Sequence, residues 1–357
     1  MRPTSLSLVL VLLALACDKS EPKEESKRSD KEAPSKVEAL DPNLAEAVAA
    51  ASVAVPGGKG APPAQVEGGP PPDGVFAPGA ADKELARGAL PKITLGSEGS
   101  APKVQLGVGK APAKLTGTIQ IALQSDPRQG AIPVLFTLSI EPKKAEGGGE
   151  GDKATPVSLP VAVKVLGAKI DAPQVPKEID DQVAKLKGSR VEYSIVPGGA
   201  GAGFRFDAPK GAPPEFRDAV RSLSDAIALV TLPYPDKPLG AGAYFMVTSR
   251  DDFLGIDLVT YRLVKVKSVT PEGATLDVST KRYAASRAFD FPGLPAEIDK
   301  SLAEFQATSE GTVELPLGAL MPTKGQVSSV LAAGLGAQGS KQQAMLQLQS
   351  RAQLDLK

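Results

Sequence analysis

The stretch LTGTIQIALQSDPRQGAIPVLFTLSI, residues 115–140, decides the fold. Leu115, Ile119, Ile121 and Leu123 fall on one side of a period-two pattern. After Ser125-Asp126-Pro127-Arg128-Gln129-Gly130, the residues Ile132, Val134, Phe136, Leu138 and Ile140 repeat it. Side chains alternate across a strand, so such runs bury one face. A turn-rich link of six residues makes the two strands antiparallel neighbours.

The same signature recurs outward from this hairpin. Val157, Leu159, Val161, Val163 and Val165 alternate after a loop with Gly147-Gly148-Gly149. Further strands are expected at Arg190–Val196, Gly242–Ser249, Leu258–Lys267, Gly273–Tyr283, Glu304–Leu317 and Ala344–Leu356. The alternation of Val259, Tyr261 and Leu263 passes to Val264 and Val266, and this slip predicts a bulge. Two segments carry helical spacing instead. Pro176 to Lys187 places Ile179, Val183 and Leu186 on one face, with Gly188 as a stop. Pro213 to Leu229 carries Phe216, Ala219, Val220, Leu223, Ala226 and Ile227 at steps of three and four. Its apolar stripe needs a cover, and a sheet face is the available one. The expectation is an α+β, mainly β fold: a curved antiparallel sheet with one main amphipathic helix packed on it.

Ahead of the sheet the composition changes. Residues 18–38 are charged and carry one large apolar residue, Val37. Such a segment buries too little to offset its ordering entropy. Asp41-Pro42 can open a short helix over 42–51. Residues 56–103 are rich in Gly, Pro and Ala, which reads as a linker stiffened toward polyproline II. The expected division is a signal segment at 1–16, a disordered tether at 17–103 and a β-rich domain at 104–357.

The first seventeen residues set the address. Arg2 is followed by the uncharged run Leu6 to Ala16 and by Cys17, the only cysteine. Such an eleven-residue run is too short to span a bilayer and matches the apolar region of a signal peptide. Leu13-Ala14-Leu15-Ala16-Cys17 resembles the lipobox of bacterial lipoproteins, although Ala14 stands where that family most often has Leu. The resemblance implies cleavage before Cys17, a diacylglyceryl group on its thiol, and acylation (such as palmitate) of the new amino end. It implies a membrane-anchored protein of the cell envelope, facing the periplasm or the cell surface.

A second resemblance lies at Leu232-Pro233-Tyr234-Pro235-Asp236-Lys237-Pro238-Leu239-Gly240-Ala241-Gly242-Ala243-Tyr244. This stretch is similar to an uncharacterised family of β-rich envelope lipoproteins, a domain of unknown function. Tyr244 takes a position that is often Trp there. The likeness covers about half the chain and implies secretion and a β-rich fold, with no activity attached. Pro72-Asp73-Gly74-Val75-Phe76-Ala77-Pro78-Gly79 resembles a linker of predicted myxobacterial lipoproteins.

Composition excludes much chemistry. The chain has no histidine and no tryptophan, and its 41 basic and 41 acidic residues balance. Nucleophiles that need a histidine base, and zinc or haem held by His or Cys, are excluded. No basic excess invites nucleic acid. Gly198 to Gly203 is glycine-rich, but a dinucleotide loop needs a helix directly after it, and Phe204-Arg205-Phe206-Asp207 is strand-like. A hairpin turn is expected. Asp180-Asp181 and Asp251-Asp252 are adjacent pairs whose side chains point apart, unlike a calcium loop. Ser20-x-x-Lys23 lies in the tether, and Tyr193, Tyr234, Tyr244, Tyr261 and Tyr283 read as core and rim aromatics. No catalytic, cofactor or metal residue stands out. The expected role is a non-enzymatic binding or scaffolding domain, with the membrane and an unidentified protein or amphiphile as partners. The alternatives are a carrier of a lipid or amphiphile in a cavity between helix and sheet, and a hydrolase using carboxylates alone.

Overall fold

The alternating runs pair into a single antiparallel sheet of twelve strands. The computed structural model describes residues 71–124, 130–143, 158–196, 198–210, 214–253, 255–289, 301–336 and 344–357. Its strands are β1 (Lys92–Ser97), β2 (Lys103–Val104), β3 (Leu115–Gln124), β4 (Ile132–Pro142), β5 (Leu159–Ile170), β6 (Arg190–Ile195) and β7 (Gly201–Asp207). They continue as β8 (Leu239–Gly240), β9 (Tyr244–Phe253), β10 (Ile256–Thr270), β11 (Gly273–Ala284), β12 (Leu302–Pro316), β13 (Lys324–Leu335) and β14 (Ala344–Leu356). The helices are α1 (Ala80–Glu84), α2 (Lys177–Ala184) and α3 (Pro214–Val230). The order across the main sheet is β1-β9-β10-β11-β12-β13-β14-β3-β4-β5-β6-β7, and β2 pairs with β8 apart from it.

The hairpin that opened the sequence reading pairs as expected, with Ile119 opposite Phe136 and Ile121 opposite Val134. Two strands of the main sheet escaped the sequence pattern. In β13, Ser328 and Ser329 interrupt the apolar alternation; β1 is short and embedded in a Gly- and Pro-rich stretch. The bulge also moves. In β10 the register against β11 shifts between Val266 and Ser268, not at Leu263. Leu263 and Val264 are both buried, so the apparent slip marks a stretch covered on both faces.

Residues 71–103, expected as part of the tether, pack against the sheet instead. From residue 71 onward the chain belongs to the domain. β1 pairs with β9, matching Ile93 to Val247 and Leu95 to Phe245. α1 lies over β10 and β11, where Phe76 and Ala81 are buried against Val259 and Ala285, with Tyr261 and Tyr283 packed alongside. Arg250 of β9 ties this segment down. It forms a two-pronged pair with Asp257 at 2.6 and 2.9 Å, donates to the Leu85 carbonyl at 3.1 Å and lies 3.4 Å from Asp82. A few buried anchors suffice to order a Gly- and Pro-rich segment, and averaged composition does not register them.

The opposite face of the sheet holds the main core. One apolar cluster draws on β3, β4, β5, β6, β8, β9, β10, β11, β12, β13 and β14, and on α2 and α3. Leu223, the middle of the α3 stripe, is 0% exposed, as are Val220 and Ile227. Each such side chain contributes about 1.5–3 kcal/mol by burial. α3 touches β7 and β3. Arg221, beside this stripe, is half-buried, and its guanidinium lies 5.2 Å over the Phe206 ring of β7. A second apolar cluster on the same face joins Ile256, Leu258, Ala284, Phe305, Ala307, Leu331 and Ala333 with Val75 and Phe289.

Candidate functional site

Between those two clusters the inward face is polar. Side chains two apart share a face, so the inward row of β10 reads Ile256, Leu258, Thr260, Arg262, Val264, Val266. β11 repeats the scheme as Leu276, Val278, Thr280, Arg282, Ala284. The register aligns these interruptions. Arg262 stands opposite Thr280, Thr280 opposite Ser309, Ser309 opposite Ser329, and Ser329 opposite Ser350. Thr260 stands opposite both Ser249 and Arg282. A belt of hydroxyls and guanidiniums thus crosses six neighbouring strands from β9 to β14.

Two carboxylates balance the belt. Arg282 donates from Nη2 to Asp225 Oδ1 of α3 at 2.8 Å, and its guanidinium sits 5.2 Å over the Phe253 ring. Arg262 donates from Nη1 to Ser249 Oγ at 2.8 Å, and its Nη2 lies 3.4 Å from Asp251 Oδ2. Ser249 also donates to Asp251 at 3.0 Å, and the Ser329 and Ser350 hydroxyls are 2.6 Å apart. Arg262 and Arg282 are buried. Burial pushes the Asp251 carboxyl up, but the Arg262 and Arg282 charges with the nearby hydroxyls outweigh it and hold the group below its ordinary range. A small cleft of about 20 Å³ opens beside the belt, lined by Ser222 and Asp225 of α3, Phe253, Arg282, Ala307, Ser309, Ser329, Leu331, Leu348 and Ser350.

The motif from Leu232 to Tyr244 builds a different place. Leu232, Tyr234, Leu239 and Ala243 are buried in the main core. Gly240 passes under the preceding chain: its N–H donates to the Glu98 carbonyl at 2.8 Å, and a Cβ on it would meet Ser100 O at 1.6 Å. Only glycine fits so close an approach. Gln105 Nε2 donates to the Pro235 carbonyl at 3.2 Å. Between residues 105–110, the Ile195–Val196 end of β6, Gly198-Gly199 and Tyr234-Pro235-Asp236 lies an open groove of about 430 Å³. Its lining mixes apolar side chains with bare glycine backbone.

The remaining sequence candidates take clear positions. Gly198 and Gly199, with φ of 91° and 96°, turn β6 into β7, the expected hairpin. Asp251 points inward to the belt, while its neighbour Asp252 faces outward near Arg87. Asp180 of α2 accepts from the Ile170 N–H at 3.2 Å, a structural bond. Tyr193 and Tyr234 are buried and Tyr261 half-buried; burial pushes all three phenols up, so none is poised as a base. Cys17, Ser20, Lys23 and the helix expected at 42–51 lie outside the described residues. Among the described residues, no group of three or more acids is placed to hold a metal, and no helix is long and apolar enough to cross a membrane. The belt itself was missed by the sequence reading. Its signal was present: Thr260, Arg262, Thr280 and Arg282 occupy inward phases that the flanking residues reserve for apolar side chains.

No family model, no curated protein and no solved structure matches the chain.

Proposed function

We propose that the protein is a lipid-anchored lipoprotein of a bacterial envelope, held through Cys17, whose β-rich domain binds or scaffolds a partner without catalysing a reaction. The lipobox-like Leu13-Ala14-Leu15-Ala16-Cys17 supports the anchor. The filled contact under α3 supports a scaffold over a carrier. Val220, Leu223 and Ile227 are each 0% exposed and sit in one continuous apolar cluster. A carrier's cavity at this interface would leave such side chains accessible to a water-sized void.

The same helix supports a curved sheet. α3 touches β7, and its Asp225 reaches Arg282 on β11. Seven strands separate β11 from β7. At about 4.8 Å per strand, a flat sheet would hold those two strands roughly 38 Å apart. A 17-residue helix is only about 25 Å long. The sheet therefore bends around α3 in this reading, and the helix serves as its filled centre.

The carboxylate-hydrolase alternative finds no support in the belt, since a general acid needs a raised pKa and Asp251 is lowered. Native mass spectrometry of the protein from its own host tests the proposal. The expected mass is that of the chain from Cys17 plus acyl groups, with no retained amphiphile. A stoichiometric lipid beyond the anchor would overturn the scaffold reading, and an unacylated Cys17 would overturn the anchor.

A further inference from the structure

We propose that Arg262, Arg282 and Thr280 form a binding site for a small carboxylate, entered through the cleft beside α3. Two guanidiniums and two threonine hydroxyls occupy a square on the inward face: Arg262 opposite Thr280, and Arg282 opposite Thr260. In an antiparallel pair, residues on such a diagonal are about 7–8 Å apart, the right span for one small group between them.

The hydrogen bonding of this square is incomplete. Each guanidinium has five N–H donors. Arg262 uses Nη1 on Ser249 and points Nη2 toward Asp251, and Arg282 uses Nη2 on Asp225. The Nε of both arginines and the hydroxyl of Thr280 are buried without a hydrogen-bond partner among the described residues. The Thr260 hydroxyl likewise makes no well-formed bond, although it lies close enough to Asp251 to favour its charge. Buried donors are almost always paired, so three orphans within one square point to an acceptor that belongs there. A water molecule accepts two hydrogen bonds. A carboxylate offers about four lone-pair positions on two oxygens, enough for both Nε–H groups and Thr280.

Charge favours the same ligand. Burial and the neighbouring Arg282 charge pull the Arg262 guanidinium below its ordinary value against the opposing pull of Asp251 and Asp225. A negative group between the two arginines relieves both. Asp225 and Asp251 neutralise the pair overall, so recognition rests on hydrogen bonds, and affinity should be modest. Of the square, Arg282 lines the cleft, whose volume of about 20 Å³ marks the approach from the α3 side. Ser309, Ser329 and Ser350 line its polar side, while Phe253, Ala307, Leu331 and Leu348 offer apolar contact to a short tail.

The test uses the chain carrying Cys17→Ser, titrated with sodium acetate, sodium phosphate or sodium chloride at matched ionic strength. Thermal unfolding should shift upward and saturate with acetate, while phosphate and chloride give no saturating shift. Thr280→Val should weaken the acetate midpoint at least tenfold, and Thr280→Ser should restore it. A crystal structure in acetate, which needs no variant, should show density bridging the two Nε atoms. Acetate acting no better than chloride, an unchanged midpoint in a folded Thr280→Val protein, or a lone water between the guanidiniums at saturating acetate would each overturn the site. Saturation by phosphate in place of acetate would overturn the carboxylate as the ligand.

Discussion

Arg282 of β11 and Asp225 of α3 meet at 2.8 Å with side chains only 8% and 12% exposed. This pair fastens the main helix to the polar belt. Each charge is tolerable inside the protein because the other is there. Asp225→Ala should therefore cost about 3–5 kcal/mol, the usual penalty for stranding one member of a buried ion pair. Replacing both residues, as in Asp225→Leu with Arg282→Met, should cost less than Asp225→Ala alone. Urea unfolding of the single and double variants measures the contrast. A single variant within about 0.5 kcal/mol of the parent would show that the pair is not buried as described.

Leu223→Ala should lower stability by about 2–5 kcal/mol, through lost burial plus a cavity. Its side chain is 0% exposed within a filled cluster, so little collapse can compensate. Arg221→Ala should cost about 0.5–1 kcal/mol, from the cation–π contact with Phe206. Denaturant midpoints at both positions check this. Equal effects would mean that α3 does not dock through its Leu223 face.

Asp251 predicts an acid limb in the stability curve. Its folded pKa is depressed, so its ionised form stabilises the fold above the unfolded value of about 3.9. That contribution is lost as pH falls below this value through the lower folded one. The carboxylate is 30% exposed, and solvent screening tempers the effect. Asp251→Asn should flatten the loss of stability below about pH 4 relative to the parent. Melting temperatures from pH 2.5 to 7 measure it. Identical acid limbs in the two proteins would remove Asp251 from the account.

A chain beginning at residue 71 should fold, and one beginning at residue 104 should not stay soluble. The second lacks β1 and α1, which uncovers Val259 and Ala285 and leaves Arg250 without Asp82 and the Leu85 carbonyl. Circular dichroism and gel filtration of both truncations decide the matter. Equal behaviour would restore the tether to residue 103.

Gly240→Ala should destabilise by about 1–3 kcal/mol or more, the range for forcing atoms into packed space. The added methyl would collide with Ser100 O, which cannot retreat without breaking the neighbouring Ser100 N–H to Ala241 carbonyl bond. Gly203→Ala offers a control, since a Cβ there meets nothing within 4 Å and only its φ of 66° opposes the change. Comparable thermal shifts at the two glycines would refute the close approach.

Sequence alone determined the kind of structure. Alternation over Leu115–Ile140 and its repeats settled antiparallel strands, because a period of two can bury only one face of a sheet. The three- and four-residue spacing around Leu223 settled a helix with a buried stripe. The glycine run after Val196 settled a turn, because a strand-like segment followed it. Tertiary structure decided the rest. Residues 71–103 look like linker by composition, yet Phe76, Ala81, Ile93 and Leu95 find partners on β9, β10 and β11 that lie some 150 or more residues away. The belt needed register as well. Arg262, Thr280, Ser309, Ser329 and Ser350 are ordinary polar residues in five separate strands, and only pairing places them in one row. Local periodicity states which face a side chain takes. Which distant side chains share that face is fixed by strand order, and strand order is a property of the folded chain.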